Sequence, residues 1–401
     1  MAPGVAALIS AKDERFLLKL RAALEAELPR LDEYNRQEKF PWDCVKALAP
    51  LGVWGMIFPT EYGGLGLSHA TYLRALEEFG RIDSSLALTA ESHNSLCGNT
   101  IAIAGTEEQK RKYLPRMAKS EIMGAWALTE SEAGSDAKAI KTQAQLEGEF
   151  WILNGSKTFT TQGSVAGVYV IFAVTSPDAE GQGISAFVAE PGPGLEIGKV
   201  EKKMGLRASD TAQVHLVNFK IPKDNLLGGL NRGFPIAMKV LDAGRVAISG
   251  VSIGMARGAI EWTLKSLRKQ PKEIPGQAGP GVRASHKTLA NFTARLHSVR
   301  MLAICAAELL DQKRKRFSFY GSMAKLLSGE LAMQTAAEMM NLIGEESILM
   351  NHQVGKIFRD SKLYQIGEGT SEIQSLLISR QIFGNPDLLR SLPIIRENSA
   401  D

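Results

Sequence analysis

Helix-like periodicity at both ends of the chain and strand-like runs in its middle predict a mostly α protein with a central β domain. Three observations carry this. Apolar residues recur every three or four positions in the first third and again from Phe234 onward. Between about 125 and 230 the apolar residues form short runs broken by glycine, proline and asparagine. At roughly 150 residues per domain, 401 residues make two or three domains. The divisions fall at residues 1–124 (N-terminal helical domain), 125–232 (central β domain) and 233–401 (C-terminal helical bundle).

Leu17, Leu20, Leu24 and Leu28 form one helical stripe, and Pro29 stops the pattern. A glycine-rich loop, Pro59-Thr60-Glu61-Tyr62-Gly63-Gly64-Leu65-Gly66, separates it from an amphipathic segment at Thr71 to Phe79. Glu107 to Met117 is a further helix. In the middle, Phe150 to Leu153 is followed by Asn154-Gly155 and then Thr158 to Thr161, which predicts a hairpin turning at Asn154-Gly155. Strands follow at Val168 to Val174, Ile184 to Ala189 and Val214 to Ile221. Beyond Phe234, Leu296, Val299, Ala303, Ala306 and Leu310 line one helical face, and Glu330 to Leu342 and Glu372 to Ile382 read as helices. Pro271 to Gly281 is a loop between two long helices.

The composition is that of an ordinary folded chain, with 22% charged and 44% hydrophobic residues. Lys plus Arg at 47 against Asp plus Glu at 43 leaves +4, too little for a nucleic-acid footprint. The one basic run, Lys313-Arg314-Lys315-Arg316, reads as a solvated helix end. The three cysteines, Cys44, Cys97 and Cys305, are far apart and suit a reducing compartment. No signal peptide and no membrane-length apolar run is visible, so a cytoplasmic location is expected. Phosphate-loop, serine-elbow and zinc-protease motifs are missing, and six scattered histidines give hydrolase chemistry no support.

Three segments are candidates for chemistry. Trp126 to Asp136 ends in small residues whose backbone N–H groups suit an anion or the polar edge of a flat ring; a plain surface turn fits equally. Lys157-Thr158-Phe159-Thr160-Thr161-Gln162-Gly163 sets an aromatic face beside hydroxyls, either for a planar ligand or as sheet core. Tyr364 to Gln374 holds Glu368 between Gly367 and Gly369, just ahead of a helix start with capping-box spacing at Ser371 and Gln374. A helix end lowers the pKa of such a carboxyl and apolar burial raises it, and the two remain in competition.

In this order, these segments closely resemble the acyl-CoA dehydrogenase family from about Arg21 to Phe383. Ala127 to Asp136 and Gln365 to Arg380 match its two signatures, and Pro59 to Gly64 and Met204 to Thr211 match further habits. Leu241-Asp242-Ala243-Gly244-Arg245 is most similar to the short-chain branch. The resemblance implies an N-terminal helical domain, a β-barrel-like middle domain and a C-terminal four-helix bundle. It implies FAD as cofactor, an acyl-CoA substrate, an electron-transferring flavoprotein as acceptor, and a homotetramer of two dimers or a dimer, in fatty acid β-oxidation. The base position is Glu368; the other position used in the family is Gly244 here, which carries no acid. Trp126, Leu128 and Thr129 match residues edging the isoalloxazine, with Phe159, Thr160 and Thr161 on its other side. Gly134 and Ser135 match contacts to flavin phosphates or CoA, and Thr370 and Glu372 match contacts to the adenosine half. Leu241, Arg245, Gly367 and Gly369 match the substrate side.

Several positions depart from the family pattern. Its Arg-x-x-Phe-Gly loop, which reaches a neighbouring subunit's FAD, corresponds to Lys272, Pro275 and Gly276, so a cation remains without the bidentate fork. Arg283 replaces a usual glutamine, and a later glycine-rich pattern reads Asn341, Gly344, Glu345 and Ser347. Gly367 replaces a common tyrosine and opens space beside the thioester. Two alternatives accompany this reading: an oxidase of the same fold, and a non-catalytic relative binding DNA through Lys313–Arg316.

Overall fold

A computed structural model describes residues 10–177, 183–269 and 284–390. The first segment is helical: α1 (Ala11–Gln37), α2 (Trp42–Leu48), α3 (His69–Ile82), α4 (Ser84–Glu91), α5 (Asn99–Ala104) and α6 (Glu107–Ala118). α1 does not stop at Pro29 but runs through it. Leu31 and Asn35, two and six residues on, continue its buried face, and the Asn35 amide donates to Asp83 Oδ2 at 2.7 Å. That packing offsets the ~3 kcal/mol that an interior proline costs.

The middle is one sheet in the order β6-β7-β3-β2-β4-β5-β8, with β1 paired in parallel to β4. Its strands are β1 (Gly124–Ala127), β2 (Gln143–Glu147), β3 (Phe150–Thr161), β4 (Val168–Val174), β5 (Ile184–Ala189), β6 (Leu195–Val200), β7 (Thr211–Pro222) and β8 (Leu226–Leu227). The sheet curls around a core that includes Trp151, Leu153, Tyr169, Ile171, Phe187 and Phe219. The alternate residues Val168, Val170 and Phe172 face helices, which is why β4 reads as an unbroken apolar run. The hairpin expected at Asn154-Gly155 is not there. β3 passes straight through with a register shift, and the turn lies at Gly148, between β2 and β3. Gly155 is needed for closeness: a Cβ would lie 2.5 Å from the Thr142 hydroxyl.

The last part comprises α7 (Gly233–Lys269), α8 (Ala284–Asp311), α9 (Phe317–Ile343), α10 (Gln353–Ser361), α11 (Leu363–Ile366) and α12 (Ser371–Gly384). α7, α8, α9 and α12 pack as the C-terminal bundle, and α3 lies along α7. The loop expected at Pro271 to Gly281, with Lys272, Pro275, Gly276 and Arg283, lies outside the described residues. Lys313 to Arg316 forms the short turn between α8 and α9, with Lys313 and Lys315 exposed. No helix among the described residues is long and apolar enough to cross a membrane.

Candidate active site

The site lies between the sheet and the bundle, with its acid in the turn from α11 to α12. Gly367 ends α11 in extended backbone; Glu368 and Gly369 then both take left-handed φ, 54° and 91°. A left-handed glutamate is strained, and surrounding structure must hold it. Two side chains do so: Gln374 donates to the carbonyls of Glu368 (3.3 Å) and Gly369 (3.1 Å), and Lys325 Nζ of α9 donates to that of Gly369 (2.5 Å). The expected Ser371–Gln374 capping box is therefore corrected. Thr370 is the N-cap, accepting from Ile373 N at 3.3 Å, because Gln374 is drawn inward to the strained turn.

Glu368 Oε2 is sealed from solvent and has no hydrogen-bond partner among the described residues. It points at Gly244 on α7, where a Cβ would come within 2.8 Å of it. Gly244 thus leaves the space that the Glu368 carboxyl occupies. The competition over the pKa is resolved: burial wins and pushes Glu368 up, moderated by Glu91, Lys325 and Arg245. Arg245 is anchored by Asp242 one turn back and is itself nearly buried. Burial takes Lys325 down to about 8 against the pull of Glu368.

The sheet side is built from β1, the loop after it, and β3. The Trp126 indole packs edge-on to Phe172 with centroids 4.9 Å apart and donates to Thr100 Oγ1 at 3.1 Å. Buried Lys157 donates to Leu128 O (3.0 Å) and Glu130 Oε1 (2.7 Å), while Thr158 N donates to Thr129 O (2.9 Å). The loop is thereby tied to β3, and Gly134 and Ser135 stay exposed at its tip. Phe159 is not sheet core: it is 66% exposed with φ 51°, at a register shift in β3. Next to it, the buried Thr160 hydroxyl and the Gln162 side-chain amide oxygen lack partners among the described residues. Thr161 is half-buried. An exposed aromatic face beside unpaired buried hydrogen-bonding groups fits the rim of a flat heteroaromatic ring.

Some expected residues are not assembled here. Asn341 sits at the exposed end of α9, about 24 Å along its axis from Lys325 at 1.5 Å per residue, and Gly344 caps that end. Glu372 is exposed in the first turn of α12, its pKa lowered by that helix end. Leu241 is half-buried on α7, one turn before Arg245. Sequence reasoning missed Glu91, Lys325 and the role of Lys157. Lys325 is a charge inside the apolar run Met323-Ala324-Lys325-Leu326-Leu327, and that signal made it findable; Glu91, followed by Ser92 to Ser95, and Lys157, between Ser156 and Thr158, carried no such signal.

A half-buried glutamate with one sealed, unpaired oxygen and an exposed aromatic face beside unpaired hydrogen-bonding groups, on a helix–sheet–helix frame, fit the class of oxidoreductases that bind a flat redox cofactor. Comparison with known proteins narrows the class. The N-terminal, middle and C-terminal domain models of acyl-CoA dehydrogenases match residues 10–121, 125–219 and 231–383. The chain is 38% identical over 356 residues to the short-chain specific acyl-CoA dehydrogenase of Clostridium acetobutylicum, covering 88% of this chain and 93% of that one. It is 35% identical over 350 residues to the caffeyl-CoA reductase–Etf complex subunit CarC of Acetobacterium woodii, covering 87% and 92%. The solved structure of butyryl-CoA dehydrogenase from Megasphaera elsdenii superposes with TM-score 0.89 at 30% identity, covering 94% of this chain and 99% of that one. The chain belongs to the acyl-CoA dehydrogenase family. It is an FAD-dependent oxidoreductase acting on CH–CH groups, and its reaction is the α,β-desaturation of an acyl-CoA thioester.

Proposed function

We propose that Glu368 is the general base of this desaturation, taking the α-proton while the β-hydride leaves the other face of the acyl group. The carrying observation is its sealed, unpaired Oε2 against Gly244. A carboxyl whose pKa is raised by burial suits proton abstraction near neutrality. Bound FAD supplies the hydride acceptor. The Glu368 backbone N–H is the in-chain donor to the thioester oxygen, where charge develops. Arg245 keeps Glu368 in a positive field, and Leu241, Gly367, Gly369 and Ser135 border the substrate. Trp126, Leu128, Thr129, Phe159, Thr160 and Thr161 hold the flavin ring, Gly134 and Ser135 its phosphates, and Thr370 and Glu372 its adenosine half. Lys272, Arg283, Asn341 and Gly344 serve a neighbouring subunit's FAD.

We further propose a homo-oligomer, dimer or tetramer, which the exposed Ile348, Leu349, Met350 and Phe383 support. An electron-transferring flavoprotein takes the electrons, as the name of the CarC relative suggests by likeness. The pathway is fatty acid β-oxidation. The cytoplasm is supported by three cysteines that remain thiols.

The test is Glu368→Gln in the holoenzyme, followed by the visible spectrum during anaerobic addition of a panel of acyl-CoAs. The variant should stay folded and yellow while substrate-driven bleaching slows by about 10²–10⁴-fold, the usual contribution of a general base. Undiminished bleaching would remove the assignment. Peroxide release in air without an added acceptor would turn the reading to an oxidase.

A further inference from the structure

Glu91 is a buried acid that the reaction as described does not use. It ends α4, is fully buried, and begins a π-helical stretch over Ser92–Gly98. Such widened turns recur at functional sites. This one is pinned by Asn94, whose amide donates to Val53 O (3.0 Å) and Ala90 O (2.9 Å) and whose carbonyl accepts from Met56 N (2.9 Å). Leu96 of this stretch and Glu368 Oε2 meet at Gly244, 3.5 and 2.8 Å from where a Cβ there would stand, and the two acids act on each other, Glu368 pushing Glu91 up and Glu91 pulling Glu368 down. Yet both Glu91 oxygens and Glu368 Oε2 lack a donor among the described residues.

Two ionised carboxylates are acceptors only, so nothing can join them unless one carries a proton. Two negative charges this close in dry surroundings do not coexist. The neighbours indicate which acid is neutral. Tyr72 from α3 and Ser95 from the π-helical stretch are bonded to each other at 2.9 Å, and the pull of Ser95 on Glu91 is outweighed by burial and by Glu368. Tyr364 from α11 donates to Ser84 O at 3.2 Å. The two cations, Arg245 from α7 and Lys325 from α9, act on Glu368 and not on Glu91. The charge therefore belongs on Glu368 and the proton on Glu91.

We propose that Glu91 is a positioning residue: held as a neutral carboxylic acid, it donates a hydrogen bond to the Glu368 carboxylate, so the pair enters the reaction with one proton and one charge. This rests on Glu368 being the base. The bond fixes the carboxylate's rotation and keeps its proton affinity below what burial alone would set. On abstraction the α C–H bond breaks, its electron pair stays with the substrate, and an O–H bond forms on Glu368. The pair then holds two protons and no charge, and neither acid is oxidised or reduced.

The experiment compares Glu91→Gln, which keeps a donor, with Glu91→Leu, which does not. The first readout is the pH profile of anaerobic flavin reduction by acyl-CoA, which rises as Glu368 ionises. Losing a hydrogen bond to a charged group should move that limb up by about one to two pH units in the Leu variant. The Gln variant should stay within about half a unit of wild type. An unmoved limb in Glu91→Leu, or an equal shift in Glu91→Gln, overturns the proposal. The second readout is the infrared spectrum of the substrate-free holoenzyme. A deuterium-sensitive protonated-carboxyl band should be lost in Glu91→Gln and kept in Glu368→Gln; the reverse puts the proton on Glu368 and overturns it. Because this band needs no turnover, a wild type that no acyl-CoA reduces sinks the base assignment and still leaves the shared proton decided.

Discussion

Two clusters of buried carboxyls lie about 18 Å apart along α7, taking twelve residues at 1.5 Å each, and their electrostatics are opposite. At one end, Glu77 and Glu78 of α3 meet Arg257 of α7 at 3.1 and 2.8 Å. Arg300 of α8 donates to Glu77 at 2.7 Å, and Arg21 and Arg81 donate to Glu78 at 2.7 and 3.1 Å. Burial raises the proton affinity of Glu78, but these guanidinium partners overrule it and hold the pKa at about 2. At the other end, beside Gly244, neither Glu91 nor Glu368 has an ion pair; burial outweighs Arg245 and Lys325, and both pKa values go up. One helix, α7, borders the buried acids in both places. Paired burial clamps α1, α3, α7 and α8 together, whereas unpaired burial stores proton affinity for chemistry.

The largest expected effect is on the paired end. Arg257→Ala strips ion-pair partners from Glu77, Glu78 and Glu261 at once and should cost about 3–5 kcal/mol in unfolding experiments. The same cluster sets an acid limit. The folded pKa of Glu78 lies below its unfolded 4.5, so its contribution is present above 4.5 and is lost as pH falls toward about 2. Glu78→Gln should flatten the stability profile in that window. A flat wild-type profile there would erase the contrast.

At the unpaired end, Gly244→Ala sets a methyl 2.8 Å from Glu368 Oε2. If Glu368 is the base proposed above, displacing it by about 1 Å should slow flavin reduction about 10²-fold with the melting temperature little changed. Smaller and opposite in sign is the stability effect of Glu91→Leu. The folded pKa of Glu91 is raised, so its contribution is favourable below the unfolded 4.5 and is lost as pH rises above it. The Leu variant should therefore be more stable than wild type near pH 7, by about 0.5–2 kcal/mol, while its chemistry suffers. A loss of stability at pH 7 would mean that Glu91 is structural. Smallest of all, Phe159→Ala removes an exposed ring and should change unfolding by less than about 0.5 kcal/mol while weakening flavin retention on gel filtration.

Legibility in the sequence followed local physics. β4 and β5 were readable to the residue, because strands buried on both faces are continuous apolar runs. β2, with Gln143, Gln145 and Glu147 turned outward, left too weak a pattern. Asn154-Gly155 misled because a strong local turn signal was overridden by pairing along the whole of β7. Pro29 misled because packing beyond it outweighed its local cost. In the site, Glu368 stood out by its flanking glycines, whereas Glu91, between Ala90 and the polar Ser92-His93-Asn94-Ser95, had nothing to mark it.

By itself the sequence determined the order of helices and strands and marked the Phe159 segment and the acid at position 368, since periodicity and glycine placement are properties of neighbouring residues. Only the tertiary structure decided how that acid behaves. Its proton affinity depends on Gly244, Arg245, Lys325 and Glu91, which lie 124, 123, 43 and 277 positions away along the chain. Desolvation and charge act through space, and no local pattern records which distant groups the fold brings near.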